Sequence, residues 1–266
     1  MEIYMTDKKL WISLSAAVAA LAALCIILLI VLIVIPPKGG PDLPTNNQDG
    51  IILGKTEDKG QSYLDKIVFL GDSNTAHLCH PSYTEISGMV KDKQIWTGDG
   101  STLMLDIGIT GRNIIYPETN EAMTIAAAAA KKKPEILIIT LGYNGKDLSD
   151  DEFIAAYENL IKAVKEASPE TKIIAQSLFP VRRGTGVSDP QKTNARLDVL
   201  NGHIKDVAKK QDIKYLDTQA VLKDSSGILK AEYSSQGGFS HEDGYHLSDI
   251  GLKAVLDYIK THAYTN

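Results

Sequence analysis

The chain has 266 residues and a formal net charge of −5 at pH 7, with 44% hydrophobic and 23% charged residues. This length and composition fit one ordinary globular domain with an appendage. The mildly acidic balance gives no electrostatic footprint for a nucleic-acid partner.

The first element along the chain is an apolar segment, residues 10–35, that contains no charged side chain. It is longer than the roughly 30 Å hydrocarbon core of a bilayer requires, whereas a cleaved signal peptide has an apolar region of about 7–15 residues. We therefore predict a retained transmembrane helix after a short cytoplasmic tail, residues 1–9. Lys8 and Lys9 before the segment, against Lys38 after it, favour a cytoplasmic N-terminus and an extracellular domain.

A flexible linker is predicted for residues 36–61, which are rich in Pro, Gly, Asn and Asp and show no apolar periodicity. The folded domain is then expected to span residues 62–266. Five short apolar runs within it, largely β-branched, predict strands at Ile67–Leu70, Ile95–Trp96, Ile136–Leu141, Ile173–Leu178 and Ile213–Leu216. Helical patterns lie between them, so we expect a five-stranded parallel sheet with helices on both faces, an α/β/α sandwich.

The first predicted strand ends in Gly71-Asp72-Ser73. A serine on the turn after a buried parallel strand lies at the edge of the sheet where ligands bind. Ser73 is therefore a candidate nucleophile. It is expected to be the first residue of a helix, so its own N–H has no partner within the helix and can point into the site. The alternative is that Asp72 and Ser73 only cap that helix.

The third predicted strand ends in Gly142-Tyr143-Asn144, at the same edge of the sheet. An Asn side-chain amide at this position can donate a hydrogen bond to a developing oxyanion. The alternative is an ordinary turn at Asn144-Gly145.

Asp243 and His246 follow the last predicted strand, where the chain returns to the same edge of the sheet as Ser73. A His that acts as a general base needs an acceptor on its other ring nitrogen, and a carboxylate three residues away can supply it. The alternative is a helix start capped by Asp243 and Ser248, with His246 on the surface.

Together these segments resemble the SGNH (GDSL) hydrolase family over roughly residues 65–258. The resemblance implies a flavodoxin-like SGNH fold in which Ser73 is the nucleophile, His246 the base and Asp243 its partner. It also implies that Asn144 and the Ser73 N–H donate to the oxyanion.

Two features depart from the family's pattern. Gly145 stands where the family usually has Asp after the oxyanion Asn. The glycine that completes the oxyanion hole is also ambiguous: Gly100 directly follows the second strand, while Gly111 better matches the local pattern. We favour Gly100 on topology and keep Gly111 as the alternative.

The function implied is an extracellular serine esterase that cleaves an O-acetyl or short acyl ester, on a carbohydrate or a cell-surface glycan, through an acyl-serine intermediate. An O-acetyltransferase with the same triad and a catalytically inactive carbohydrate-binding module are the alternatives. No cofactor or metal is expected, because nucleotide-binding and zinc motifs are absent from the sequence and His77, Cys79 and His80 have no second ligand pair. The expected partners are the acylated substrate and, through the N-terminal helix, the membrane, with a monomeric ectodomain.

Overall fold

The computed structural model describes residues 50–235 and 242–265, all within one compact unit. The predicted cytoplasmic tail, the predicted transmembrane helix and residues 36–49 of the predicted linker lie outside the described residues. Among the residues that are described, no helix has both the length and the apolar character needed to cross a bilayer.

Seven strands and seven α-helices make up the described part of the chain. The strands are β1 Ile67–Gly71, β2 Ile95–Trp96, β3 Asn113–Tyr116, β4 Glu121–Thr124, β5 Ile136–Thr140, β6 Lys172–Gln176 and β7 Lys214–Leu216. The helices are α1 Gly60–Leu64, α2 Ser73–Ala76, α3 Ile125–Lys132, α4 Asp150–Ala167, α5 Pro190–Lys210, α6 Gln219–Leu222 and α7 Asp249–Thr261. Short 3₁₀ turns at His77–Cys79, Thr84–Ile86, Asp92–Gln94, Asp99–Ser101, Ile109–Gly111, Tyr143–Gly145 and Ala231–Tyr233 join them.

Five strands form one parallel sheet in the order β2-β1-β5-β6-β7. The five strands predicted from the sequence are these five, and the α/β fold with a five-stranded parallel sheet is confirmed. The register pairs Gly71 with Thr140. The turns that follow β1 and β5 therefore lie side by side at the carboxyl edge of the sheet.

The core lies on both faces of the sheet, because successive side chains of a strand point to opposite faces. Along β1, Val68 belongs to a cluster with Leu160 of α4 and Leu200 of α5. Its neighbour Phe69 belongs to a second cluster with Leu256 of α7. Burying each such side chain contributes about 1.5–3 kcal/mol to the stability of the fold. This packing holds the helices against the sheet and so fixes the positions of the strand ends.

Two features of the fold differ from the sequence-based expectations. Strands β3 and β4 form a separate antiparallel hairpin that the sequence analysis did not predict. The predicted linker also extends too far toward the C-terminus, because Ile52 pairs with Tyr215 of β7 and its neighbours Ile51 and Leu53 are buried. The chain thus joins the fold by residue 51, about ten residues before the predicted start at Ser62.

Both ends of the described chain meet where the strands begin. Lys214, the first residue of β7, donates from Nζ to the carbonyl of Gly50 at 2.7 Å. The Thr56 N–H donates to the carbonyl of Thr261, the last residue of α7. These contacts lie at the edge of the sheet opposite to Ser73.

Candidate active site

Ser73 is the first residue of α2 and follows the buried end of β1 by two positions. It is partly exposed, whereas Asp72 before it is buried. The first N–H groups of a helix have no partner within the helix, so the Ser73 N–H is available to an acceptor in the site.

The structure brings Ser73, His246 and Asp243 together in a continuous hydrogen-bonded relay. The Nε2 atom of His246 lies 2.7 Å from the Oγ atom of Ser73. On the other side of the ring, Nδ1 lies 2.7 Å from Oδ2 of Asp243. Both side chains are largely shielded, with 13% of His246 and 12% of Asp243 exposed. The alternative of a surface histidine therefore does not hold, and Ser248 caps α7 by accepting from the Gly251 N–H.

Asp243 is held as a carboxylate although it is buried. Burial acts to raise its pKa, but hydrogen bonds from the His246 ring and from the backbone N–H groups of His246 and Tyr245 outweigh that effect and lower the pKa to about 2. An ionised carboxylate in this position favours the tautomer with a proton on Nδ1, which leaves Nε2 free to accept the Ser73 proton.

Residues 182–187 hold the Asp243 loop from outside. The N–H groups of Arg182, Thr185 and Gly186 donate to three successive backbone carbonyls of the loop, those of Gly244, Glu242 and Asp243, at 2.9–3.0 Å. Gly184 approaches so closely that a Cβ atom there would lie 2.3 Å from the carbonyl carbon of Asp243. This close approach requires glycine.

Asn144 lies in the turn after β5, beside β1, the strand that leads to Ser73. Its Nδ2 atom is 3.4 Å from Oδ2 of Asp72 and 3.4 Å from the carbonyl oxygen of Leu103. Both distances are long for N–H···O bonds, so the amide is free to turn toward a stronger acceptor. Burial raises the pKa of Asp72 to about 6, against the lowering effect of the Asn74 N–H and of His246.

The structure explains the absence of a carboxylate after Asn144. Gly145 is buried, and a Cβ atom there would lie 2.6 Å from the carbonyl oxygen of Leu105. The segment after β2 therefore occupies the space that the family's Asp side chain would need. The departure at Gly145 is a packing adjustment between two loops.

The two candidate glycines of the oxyanion hole lie in different turns. Gly100 adopts a left-handed conformation, with φ of 61°, three residues before Leu103, whose carbonyl contacts Asn144. The N–H of Gly111 donates to the carbonyl of Gly108 at 3.0 Å within its own turn. Gly111 thus has its donor engaged, while Gly100 belongs to the segment that reaches Asn144.

A second histidine lies under the relay. The ring of His77 is 4.8 Å from the ring of His246, and its Nδ1 is 3.2 Å from the Tyr83 hydroxyl. Burial, together with the nearby His246, lowers the pKa of His77 to about 4, so the ring is neutral near pH 7. Burial also raises the pKa of the Cys79 thiol to about 12. Within the described ranges, no cluster of three His, Cys, Asp or Glu side chains could hold a metal ion.

Two tyrosines beside the candidate residues line a small cavity. The rings of Tyr143 and Tyr245 stack at 5.4 Å, and the ring of Tyr245 lies 4.5 Å from that of His246. The cavity has a volume of about 20 Å³ and is lined by Asp72, Asn74, Thr140, Tyr143, Leu178, Phe179 and Tyr245. Its size corresponds to one or two water-sized groups.

Sequence analysis missed three residues that shape the site. Asn74 bonds to the backbone beside His246, and Gly184 and Gly186 allow the 182–187 segment to approach the Asp243 loop. A signal for Asn74 was present, since a polar residue directly follows the serine. The two glycines carry no such signal, because their role depends on a contact with residues about 60 positions away.

Comparisons with known proteins show which family the chain belongs to. Residues 69–254 match the family model described as GDSL-like lipase/acylhydrolase. No curated protein sequence matches the chain.

Solved structures of similar proteins include a Streptococcus pneumonia protein provisionally named a platelet activating factor, with 20% identity and a TM-score of 0.52, covering 75% of this chain and 84% of that one. A GDSL-like lipase from Bacteroides thetaiotaomicron has 17% identity and a TM-score of 0.49, covering 73% and 85%. The extracellular lipase of Streptomyces rimosus has 14% identity and a TM-score of 0.48, covering 74% and 99%.

At 20% identity, the similarity to the Streptococcus pneumonia protein shows the fold alone. Family membership rests on the family model, which matches well over half of the chain. The chain therefore belongs to the GDSL-like lipase/acylhydrolase family and is an ester hydrolase of the SGNH type.

Proposed function

We propose that the chain hydrolyses a short acyl ester, such as an O-acetyl group on a carbohydrate or cell-surface glycan, through an acyl-serine intermediate on Ser73. The observation that carries this proposal is the relay in which His246 lies 2.7 Å from both Ser73 Oγ and Asp243 Oδ2. A serine, a base and an orienting carboxylate in this arrangement are what nucleophilic acyl transfer requires.

In the first half of the reaction, Ser73 Oγ attacks the ester carbonyl carbon while His246 Nε2 takes the hydroxyl proton. The tetrahedral intermediate collapses to acyl-Ser73, and His246 gives its proton to the departing alcohol oxygen. In the second half, His246 takes a proton from water, the resulting hydroxide attacks the acyl carbon, and Ser73 regains its proton as the carboxylic acid leaves. Asp243 stabilises the positive charge on His246 in both halves.

The negative charge of each tetrahedral intermediate needs hydrogen-bond donors. We assign this role to the Ser73 N–H and the Asn144 side-chain amide, with Gly100 as the third donor in preference to Gly111. The long contacts of Asn144 Nδ2 support the assignment, because the amide gains more from a full negative charge than it loses from its present partners.

The small cavity supports a short acyl group. Its lining includes Asp72 and Tyr245, the chain neighbours of Ser73 and His246, and its volume of about 20 Å³ corresponds to one or two water-sized groups, which favours a small acyl group over a long chain. Rates on p-nitrophenyl acetate, butyrate and octanoate test this directly. We expect a steep fall with chain length, and equal rates on acetate and octanoate would contradict the assignment.

We propose a surface glycan as the alcohol part of the substrate, because the apolar segment 10–35 would anchor the domain at the membrane. A domain anchored outside the membrane by that segment faces surface glycans, and the short cytoplasmic tail and retained span are part of the proposal. Protease added to intact cells should remove the domain while the mature protein keeps its N-terminus. A protected domain, or a mature chain that begins after residue 35, would contradict this topology.

The role of Ser73 is tested by replacing Ser73 with Ala. We expect ester hydrolysis to fall by several orders of magnitude with an unchanged melting temperature, because the relay acts as a unit. Unchanged turnover would refute the nucleophile assignment. Adding a soluble alcohol acceptor to the wild-type assay separates hydrolysis from transfer, since a transferase would form the acylated acceptor faster than free acetate.

A further inference from the structure

The side chain of Asn74 contacts the backbone on both sides of His246. Its Nδ2 atom donates to the carbonyl of Tyr245 at 3.2 Å, and its Oδ1 atom accepts from the Leu247 N–H at 3.0 Å. One amide group therefore holds the two peptide units that flank the catalytic histidine.

These two bonds join the element that carries the nucleophile to the loop that carries the base. Asn74 directly follows Ser73 in α2, so its position moves with that of Ser73. The backbone–backbone hydrogen bonds of the loop lead elsewhere: the N–H of Ser235 donates to the His246 carbonyl, and the 182–187 segment binds near Asp243. Asn74 thus fixes His246 relative to Ser73 itself.

The distance that these bonds set is a sensitive one. His246 Nε2 lies 2.7 Å from Ser73 Oγ, and proton transfer needs a distance of about 2.6–3.2 Å. A misplacement of about 1 Å can lower a rate on the order of 10²-fold. A leucine in place of Asn74 could make neither of the two bonds.

We propose that Asn74 is a positioning residue that holds His246 in register with Ser73 through hydrogen bonds to the peptide units on either side of the histidine. The inference rests on the proposed roles of Ser73 and His246. It assigns to Asn74 an effect on turnover that acts through the position of His246.

The test is Asn74→Leu, which keeps the side-chain branching and removes both bonds. We expect kcat on p-nitrophenyl acetate to fall about 10- to 100-fold, with KM changed by less than about threefold, because positioning acts on the proton transfer. The fall in kcat should be absent from the control variant below, even if both variants show the same drop in melting temperature.

Asn201→Leu is the matched control. Asn201 is buried on α5, accepts from the Leu178 N–H at 2.7 Å and donates to the Leu178 carbonyl at 3.2 Å, so it makes the same pair of bonds outside the relay. This variant should lose stability and keep kcat within about twofold. If both variants lose the same fraction of kcat, or if Asn74→Leu keeps the wild-type kcat, the inference is wrong.

Two further variants complete the design. Asn74→Asp keeps the acceptor for the Leu247 N–H and loses the donor to Tyr245, so it should fold if Asn74→Leu does not and should show an intermediate kcat. Wild-type kcat in Asn74→Asp would also overturn the inference. Ser73→Ala separates the proposed function from the positioning role of Asn74. If Ser73→Ala leaves hydrolysis unchanged, the proposed function is wrong. If Ser73→Ala abolishes hydrolysis while Asn74→Leu does not lower kcat, only the positioning role is wrong.

Discussion

Replacing Gly184 with Ala tests whether the 182–187 segment sets the position of the Asp243 carboxylate, the proposed partner of His246. The backbone of Gly184 is not in the left-handed region, so alanine introduces no backbone strain. The added Cβ would lie 2.3 Å from the carbonyl carbon of Asp243 and 2.4 Å from the carbonyl oxygen of Glu242. Ordinary contacts begin at 3.4 Å, so the two segments must separate by about 1 Å.

The size of the effect follows from this separation. If the Asp243 loop moves, the 2.7 Å distance from His246 Nε2 to Ser73 Oγ grows beyond the range of a good hydrogen bond. We expect kcat to fall on the order of 10²-fold. Overpacking should lower the free energy of unfolding by about 1–3 kcal/mol.

Steady-state hydrolysis of p-nitrophenyl acetate gives kcat and KM, and urea unfolding gives the stability. Gly202→Ala is the matched control, because Gly202 lies exposed on α5 with no atom within 4 Å of an added Cβ. It should gain about 0.5–1 kcal/mol and keep wild-type kcat. A folded Gly184→Ala variant with wild-type kcat would mean that the 182–187 segment yields instead of the loop, and the reasoning would fail.

Four further predictions concern single residues. The pKa of Asp243 is lowered to about 2 in the folded protein, so its ionised form contributes stability above about pH 4. This stability is lost as the pH falls from 4 to 2, and the melting-temperature difference between wild type and Asp243→Asn should shrink over that range. Because the pKa of buried Asp72 is raised to about 6, stability should fall as the pH rises from about 4 to 6, and urea unfolding of Asp72→Asn should lack this fall, which amounts to roughly 3 kcal/mol. Asn144→Ala should lower kcat about 10²–10³-fold and change KM less, as measured by steady-state kinetics. Gly145→Asp should lose about 1–3 kcal/mol in urea unfolding and lose activity, because its Cβ meets the Leu105 carbonyl, and a more active, equally stable variant would contradict this.

The parallel sheet could be predicted from the sequence because its strands are buried on both faces. Such strands appear as continuous apolar runs, as in Ile136-Leu137-Ile138-Ile139, and polar residues at their ends mark the carboxyl edge. The hairpin Asn113–Thr124 was not predicted, since one of its strands, Glu121–Thr124, has no fully buried residue and no apolar run. Ile51–Leu53 were missed because the linker composition around them concealed a short edge pairing.

The candidate relay was predictable for a different reason. Ser73, Asp243 and His246 each belong to a local motif whose chemistry restricts the residue types, and the strand order then brings the motifs together. The parts that were not predicted depend on the closeness of backbone segments. The contact of Gly184 with Asp243 is set by tertiary packing and leaves no local pattern in the sequence.

The meeting of both ends of the described chain at the start of the strands has a practical consequence. The contacts of Gly50 with Lys214 and of Thr56 with Thr261 place these two ends on the side of the sheet away from Ser73. A fusion partner, an affinity tag or a solid support joined to the folded domain at residue 50 or after residue 265 would start on the side away from the relay. The enzyme can therefore be displayed on a particle or a cell surface from either end with its substrate access preserved.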